Sequence, residues 1–359
     1  MPTAEKQMER PPAAPPRPPR LTRNKRALKS LRLVAVAYSH VERDDFPTRE
    51  AYEAELEVEE RARQVLAELE KLNITAGGYP ADRYFFTNLI VDAPDIVLNL
   101  VDTLRGHDRL QTVIPAALEL AQIPYTGAGM RGLVIGNDRQ LFKHLLTAGK
   151  IPTPDFQYIT RRGTKVQEAL GLPLIVKLNE SGGSVGIDNK AVKETVAEAQ
   201  EQVDRLLETY RIPVIVERFV DGPEITGAVF DDGHKKHVFL AEKQFREKAD
   251  GKHYFTSLES YQDARSYTYC PVEPVLARRI EPLARRAFGA LGNRDYAKFD
   301  IRVDEEKGTP YFTDCNPNTA FGPDPGLPFT EVLALHSVSF ADVLASLMSK
   351  YAKKIRKKG

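Results

Sequence analysis

Two stretches near the end of the chain, Tyr296-Ala-Lys-Phe-Asp-Ile-Arg-Val-Asp304 and Thr309-Pro-Tyr-Phe-Thr-Asp-Cys-Asn-Pro317, constrain the fold more than any others. Both are rich in aromatic and β-branched residues, and the Glu306-Lys307-Gly308 between them favours a turn, so they read as paired strands. Side chains two apart share a strand face, so Asp314 and Asn316 project together, and pairing brings Asp300 close to both. Two carboxylates and an amide oxygen form a hard, oxygen-only set. Such a set suits Mg²⁺, with Mn²⁺ as a substitute, when the ion keeps waters and takes its remaining ligands from phosphates.

The 359 residues can bury a substantial core in two or three lobes. Hydrophobic content of 42% and charged content of 28% are ordinary for a globular chain. No apolar run reaches the length of a membrane span, and Leu31–Tyr38 is too short for one. The Pro-rich, basic N-terminus lacks an apolar signal core, and Cys270 and Cys315 are too few for a disulfide framework, so a cytoplasmic location is expected. No His/Cys group has zinc-ligand spacing. The formal charge of +1 hides an asymmetry: taking +7 for residues 1–32 and +6 for 350–359 leaves the body near −12. The basic ends suit an unstructured leader and the negative end of a helix dipole, and the body shows no basic, aromatic-interleaved surface for nucleic acid.

Periodicity sets the order of elements. Leu31–Tyr38 and Asp95–Leu100 read as buried strands. Glu50–Leu72 is helical, with Ala51, Ala54, Val58, Ala62, Val65, Leu66 and Leu69 on one face. Thr112–Ala121 and Asn137–Ala148 are helices, the second capped by Asn137 or Asp138 and ended by Gly149. Alternating strands and helices indicate a parallel α/β lobe. Beyond it, Leu174–Leu178, Val214–Val220, Ile225–Phe230 and Val238–Phe245 continue as strands around a helix at Lys193–Tyr210, and an antiparallel sheet carrying helices is expected there. A long helix at Glu273–Leu291 precedes the strand pair, and a closing helix starts near Glu331. The boundaries expected are a disordered leader at 1–30, an N-terminal α/β lobe at 31–130, a central lobe at 131–215, a C-terminal lobe with the metal set at 216–350 and a basic tail at 351–359.

Three further segments point toward a nucleotide. Lys177 ends a strand just before Asn179-Glu-Ser-Gly-Gly-Ser-Val-Gly186, where Gly182, Gly183 and Gly186 let backbone N–H groups approach phosphate and Ser184 adds a hydroxyl. The loop is not a Walker A motif, because the lysine precedes the glycines. Alone it is equally a plain hairpin turn. Val214-Ile-Val-Glu-Arg-Phe-Val-Asp-Gly-Pro-Glu224 is an apolar strand ending at Glu217, with Phe219 beside it and Glu224 past the turn, a slot for adenine with acceptors at its edge.

Taken in this order, the set resembles the ATP-grasp superfamily, and most closely its D-alanine–D-alanine ligase group, over residues 31 to 350. Other matching segments are Asn99-Leu100, Ile123-Pro-Tyr-Thr-Gly127, Ile151-Pro-Thr-Pro154, Ile175-Val-Lys177 and Ser184-Val-Gly186. The resemblance implies an N-terminal α/β domain followed by two α+β lobes that clamp ATP. It also implies Lys177 and Arg139 on phosphates, Glu217 on the adenine amino group, Glu224 on the ribose hydroxyls, and Asp300, Asp314 and Asn316 on Mg²⁺. Lys298 falls where the ligases have an arginine that polarises the acyl phosphate, and Tyr261 falls at the place of their active-site tyrosine. A homodimer is implied by resemblance alone.

The departures concern the amino-acid sites. The N-terminal Gly-Gly-x-Ser-x-Glu element is absent, with Tyr38-Ser-His-Val-Glu42 in its place, and neither Glu42 nor Glu55 is a convincing substitute. Gly183 removes one hydroxyl of the ligases' Ser–Tyr–Glu network, and Asn318-Thr319-Ala320 replaces Ser-Pro-Gly. A lysine at 298 is a point charge where a bidentate guanidinium is usual. The expected activity is ATP-dependent joining of a small-molecule carboxylate to an amine through an acyl phosphate, on substrates other than paired D-alanine. The alternatives are a D-alanine–D-alanine ligase proper and an ATP-grasp small-molecule kinase. The lid over the site is expected from Lys248–Tyr254 and the glycine loop.

Overall fold

The computed structural model describes residues 19–46, 49–53, 55–180, 184–263 and 265–358. Its first layer is a parallel sheet of β1 (Val34–Tyr38), β2 (Ala76–Pro80) and β3 (Ile96–Leu100) in the order β2-β1-β3. All five residues of β3 are buried, as expected of a strand covered on both faces. The helices described in this part of the chain are α1 (Lys25–Leu28), α2 (Arg49–Glu53), α3 (Glu57–Lys71), α4 (Phe85–Asp92), α5 (Val113–Leu120), α6 (Met130–Asn137) and α7 (Arg139–Ala148).

Several expectations are corrected here. The leader is not disordered up to residue 30: Asn24 caps α1, and Ala27 and Leu31 are buried in the core that holds the C-terminal helix. The helix expected over 50–72 is split in two, and α3 carries the apolar stripe through Val58, Ala62, Val65 and Leu69; Ala54 and the side chain of Ala51 lie outside the described residues. β2, with its two glycines and a proline, and α4 escaped the periodicity reading because neither has a clean pattern. Asp138, not Asn137, caps α7, and Asn137 closes α6.

The second sheet holds β4 (Phe156–Ile159), β5 (Leu174–Leu178), β6 (Val192–Lys193) and β7 (Val214–Arg218), in the order β4-β7-β5-β6. It is backed by α8 (Val196–Tyr210), whose buried Ala199, Val203, Leu206 and Leu207 pack on Val176, Leu178, Val214 and Val216. The helix starts three residues later than expected because Thr195 and Glu198 form a capping box. β7 runs across the lobe boundary expected at 215.

The third sheet has five strands: β8 (Glu224–Asp231), β9 (Lys236–Phe245), β10 (Tyr267–Pro271), β11 (Tyr296–Val303) and β12 (Pro310–Asn316), in the order β10-β9-β8-β11-β12. β8 and β9 therefore join the metal strands and not the sheet of β5 and β7, which corrects the single antiparallel sheet expected. Gly222, at φ +132°, makes the turn that sends the chain from one sheet to the other; a Cβ there would sit 2.1 Å from the Val303 carbonyl. α9 (Leu258–Gln262) and α10 (Pro274–Ala290) complete this lobe.

The face of this sheet is divided. Ala228, Phe230, Phe239, Ala241 and Tyr296 are covered by α11 (Pro328–Leu335) and α12 (Phe340–Lys358), while Glu224, Lys298, Asp300 and Arg302 continue the same rows into an open cleft. The opposite face packs Ile225, Val229, Phe299 and Ile301 on α10 and α7. The closing helix is two helices bent by 102° relative to each other, and the basic tail expected at 351–359 continues α12 to Lys358. Among the described residues no single helix is long and apolar enough to cross a membrane; the bent pair passes by composition because it fills the core.

Candidate active site

The cleft lies between the second and third sheets and encloses about 170 Å³. Its lining carries Arg139, Lys177, Arg218, Lys243, Lys298 and Arg302 against Glu217, Glu224, Asp300 and Asp314. Cations outnumber carboxylates, so the cleft suits a polyanion. A larger open groove of about 1110 Å³ runs between the end of α5 and α12, but it shares no residue with the cleft, and its Lys350 is paired with Asp231 and Asp295.

The strand pair forms as the alternation requires. Asp300 stands opposite Asp314 and Lys298 opposite Asn316, with a bulge at Thr313 just beyond. Asn316 Nδ2 donates to Asp300 Oδ2 over 3.5 Å. Lys298 Nζ donates to both Asp300 oxygens at 2.9 and 2.8 Å, and Arg139 Nη2 donates to Asp314 Oδ2 at 2.5 Å. The two carboxylates are 22% and 23% exposed, so a ligand can reach them. Among the described residues no three His, Cys, Asp or Glu side chains form a metal cluster. A hard cation here would need Asn316 as its third oxygen donor, which half a turn of that amide supplies. With two carboxylates, one amide oxygen and an open side, the set fits Mg²⁺.

Two buried carboxylates stand further in, each between two cations. Glu217, 1% exposed, lies opposite Ile175 across β7 and β5, so that Lys177 falls diagonally on the same face. Its Oε2 takes Lys143 Nζ at 3.2 Å and Lys177 Nζ at 3.5 Å. Its Oε1 is buried with no hydrogen-bond partner among the described residues. Burial works against the charged form of Glu217, but Lys143 and Lys177 outweigh it and hold the pKa below the usual carboxylate range. Lys143 is fully buried, and desolvation pushes its ammonium down to about 8 despite Glu217.

Glu224 is opposite Lys243 on one side and Arg302 on the other. Oε1 accepts from Lys243 Nζ at 2.8 Å and from Thr256 Oγ1 at 2.5 Å; Oε2 accepts from Thr256 N at 3.2 Å and Arg302 Nη1 at 3.1 Å. Burial raises the Glu224 pKa, yet Lys243 and Arg302 carry it well below the ordinary range. A carboxylate has about four lone-pair sites, and all are filled. The two cations its neighbours supply hold Glu224 at the turn between β7 and β8, where it lines the cleft.

Phe219 is 5% exposed and lines the cleft beneath the Arg302 guanidinium, 4.7 Å from its ring centroid. Ser184 also lines the cleft, at φ +59°, and Gly186 has φ +78°. Gly182 and Gly183 lie outside the described residues, as does the side chain of Tyr261, which falls in α9. Glu42 is exposed and bound to His40 Nε2 at 2.9 Å. Glu55, in the turn two residues before α3, has its carboxyl pushed up to about 8 by burial and by Asp102 and Asp108 against Arg61. Neither glutamate lines the cleft.

Sequence reasoning missed Lys143, Lys243, Thr256 and Arg302. Two of these had a signal. Lys143 follows Arg139 by one helical turn, and Arg302 follows Lys298 and Asp300 on the same strand face. Lys243 and Thr256 owe their place to strand pairing and a loop, which no local pattern announces.

Residues 145–349 match the family model described as D-ala D-ala ligase C-terminus. A D-alanine–D-alanine ligase of Chromohalobacter salexigens is 30% identical over 245 residues, covering 67% of this chain and 74% of that protein. An uncharacterized protein, y4sG, of Sinorhizobium fredii is 29% identical over 243 residues, 66% of this chain and 68% of that one. Among solved structures, D-alanine–D-alanine ligase from Bacillus anthracis complexed with ATP superposes with a TM-score of 0.68 at 19% identity, covering 91% of this chain and 99% of that one. The VanG D-Ala:D-Ser ligase of Enterococcus faecalis gives 0.66 at 17% identity, covering 90% and 100%. The chain belongs to the D-Ala-D-Ala ligase family and has the ATP-grasp fold. It is an ATP-dependent ligase that forms C–N bonds between small molecules.

Proposed function

We propose that this ligase activates a carboxylate with ATP as an acyl phosphate and joins it to the amine of a second amino-acid-like substrate, on a pair other than two D-alanines. A carboxylate oxygen attacks the γ-phosphorus, and the bond to the ADP oxygen breaks. The amine nitrogen then attacks the acyl carbon. Phosphate leaves with the C–O bonding pair, and the amine gives up a proton to leave an amide. Mg²⁺ held by Asp300, Asp314 and Asn316 would neutralise phosphate charge in the first transfer.

The observation that carries this reading is the buried, partnerless Oε1 of Glu217 in the same cleft as the carboxylate pair. A desolvated acceptor of this kind favours a ligand donor such as the adenine amino group. Lys177 and Arg139 then face the phosphates, with Ser184 beside them, and Phe219 forms the base slot. Lys298, 14% exposed on an interior strand, would steady the oxyanion of the tetrahedral intermediate. Lys298→Met should lower turnover roughly a hundredfold with nucleotide binding kept. Unchanged turnover removes that role.

The altered pair is supported by the lysine at 298, by Asn318-Thr319-Ala320 after the metal strand, and by the absence of a cleft-lining N-terminal glutamate among the described residues. Tyr261 remains the proposed lid tyrosine, and a homodimer the proposed assembly. The test is phosphate release from ATP and Mg²⁺ across amino-acid pairs, with mass analysis of the product. Release with a mixed pair and an amide product supports the reading. Release only with paired D-alanine makes the chain a D-alanine–D-alanine ligase proper, and a phosphorylated hydroxyl product makes it a kinase.

A further inference from the structure

The two basic ends of the chain, far apart in sequence, meet around α12. α1 packs on α12, with Leu21, Leu28 and Ile355 packed against the same core, and Asn24 N donates to Ser349 Oγ at 3.0 Å. Thr22 Oγ1 donates to Asp232 Oδ2 at 2.9 Å, which brings the leader onto the turn between β8 and β9. Lys25, Arg26 and Lys29 around α1, Lys235 and Lys236 on that turn, and Lys354 of α12 are all exposed. Among the described residues none of these side chains has an ion pair. The neighbouring carboxylates are already taken. Asp342 pairs with Arg23, Asp231 and Asp295 pair with Lys350, and Asp232 holds Thr22, His237 and the N–H groups of His234 and Lys235. Lys236 and Lys354 also line the open groove of about 1110 Å³ between α5 and α12.

We propose that this basic surface and its groove dock an acidic, extended segment of a partner protein. The body of the chain carries a formal charge near −12, so an acidic partner is repelled elsewhere and steered to this surface. Three features favour a carboxylate-bearing peptide over other polyanions. The unpaired cations are lysines apart from Arg26, whereas bidentate phosphate recognition uses the arginine fork. The groove's tyrosines, Tyr125 and Tyr351, are 4% and 6% exposed, and the Arg294 guanidinium lies over Tyr125, so neither ring is a platform for a nucleic-acid base. A lipid surface is flat where the groove is concave, and among the described residues no large apolar side chain is exposed on α1, α12 or the turn to enter a bilayer. Glu119, at the α5 end of the groove, accepts the Tyr125 hydroxyl and repels a carboxylate there, so the acidic run lies along the α12 side. The groove shares no residue with the nucleotide cleft, and a docked segment leaves ATP binding unhindered.

The test presents the full chain with three polyanions at physiological salt, where weak surface attractions are screened. Fluorescence anisotropy reads a labelled ten-residue polyglutamate and a labelled ten-nucleotide thymidine strand. Co-sedimentation reads vesicles of phosphatidylcholine with one-third phosphatidylserine. Polyglutamate should bind more tightly than the thymidine strand, by roughly tenfold, and the vesicles should leave the protein in solution. Lys236→Glu with Lys354→Glu should weaken the peptide roughly tenfold or more, and Lys25→Glu with Lys29→Glu roughly threefold or more. Both double variants should melt with the wild type, because all four lysines are exposed. Unchanged peptide affinity in either double variant overturns the proposal. So does a thymidine strand that binds as tightly as the peptide, protein carried down with the vesicles, or a wild-type chain that leaves polyglutamate unbound.

Discussion

Glu217 and Glu224 are both buried carboxylates set between two cations, and they differ in one respect. Glu217 receives both lysines on a single oxygen and leaves the other empty. Glu224 spreads four donors over two oxygens. Similar surroundings thus leave one carboxylate with an open acceptor among the described residues and the other with none. Charge at a site is therefore less informative than the count of filled acceptors.

The strongest way to break this contrast is Glu224→Gln. Removing that charge strands Lys243 and Arg302, and breaking a buried ion pair costs about 3–5 kcal/mol. Denaturant melts should show this loss, and a near-silent variant would mean that the node is not structural.

Lys143 offers the next largest effect. Its pKa falls from an ordinary 10.5 to about 8 in the folded chain, so between those values the unfolded chain binds more protons. Stability contributed by this group should accordingly rise from pH 8 to 10.5, on the order of 3 kcal/mol. Below pH 8 the full burial penalty applies. Comparing melts of the wild type and Lys143→Met over that window isolates the term: the variant should show the flatter profile, and parallel profiles would contradict a buried ammonium.

Glu217→Gln sharpens the contrast from the ligand side. An amide can still offer an oxygen to the adenine amino group but loses the charge, so ATP KM should rise about tenfold, near 1.4 kcal/mol. Its effect on nucleotide relative to stability should exceed that of Glu224→Gln. The smallest effect is expected outside both nodes. Thr195→Ala removes the capping box of α8, and should cost about 1 kcal/mol of stability while ATP KM stays unchanged. A shift in KM would mean that the second sheet transmits changes in α8 to Glu217.

Local pattern carried much of the fold. Strand alternation put Asp300, Asp314 and Asn316 on one face, and the structure brings them together with Asp300 opposite Asp314. Helical spacing found the buried stripe of α3 and, within three residues, the start of α8. The division of strands between sheets was not legible. β8 reads like a continuation of β7, and Gly222-Pro223 looks like a hairpin turn, whereas the chain there leaves one sheet for another. The end of the leader was hidden for a similar reason, since α1 is stable only through its packing on α12.

What the sequence alone determined is the set of chemical groups: a hard oxygen trio, a lysine before a glycine loop, two glutamates flanking a turn, and their order along the chain. These depend on residue identity and on periods of two and 3.6, which local backbone geometry enforces. Only the tertiary structure decided which glutamate keeps a free oxygen, because Lys143, Lys243, Thr256 and Arg302 reach their carboxylates from other elements of the chain. Acceptor saturation arises from contacts distant in sequence, and no period along the chain encodes it.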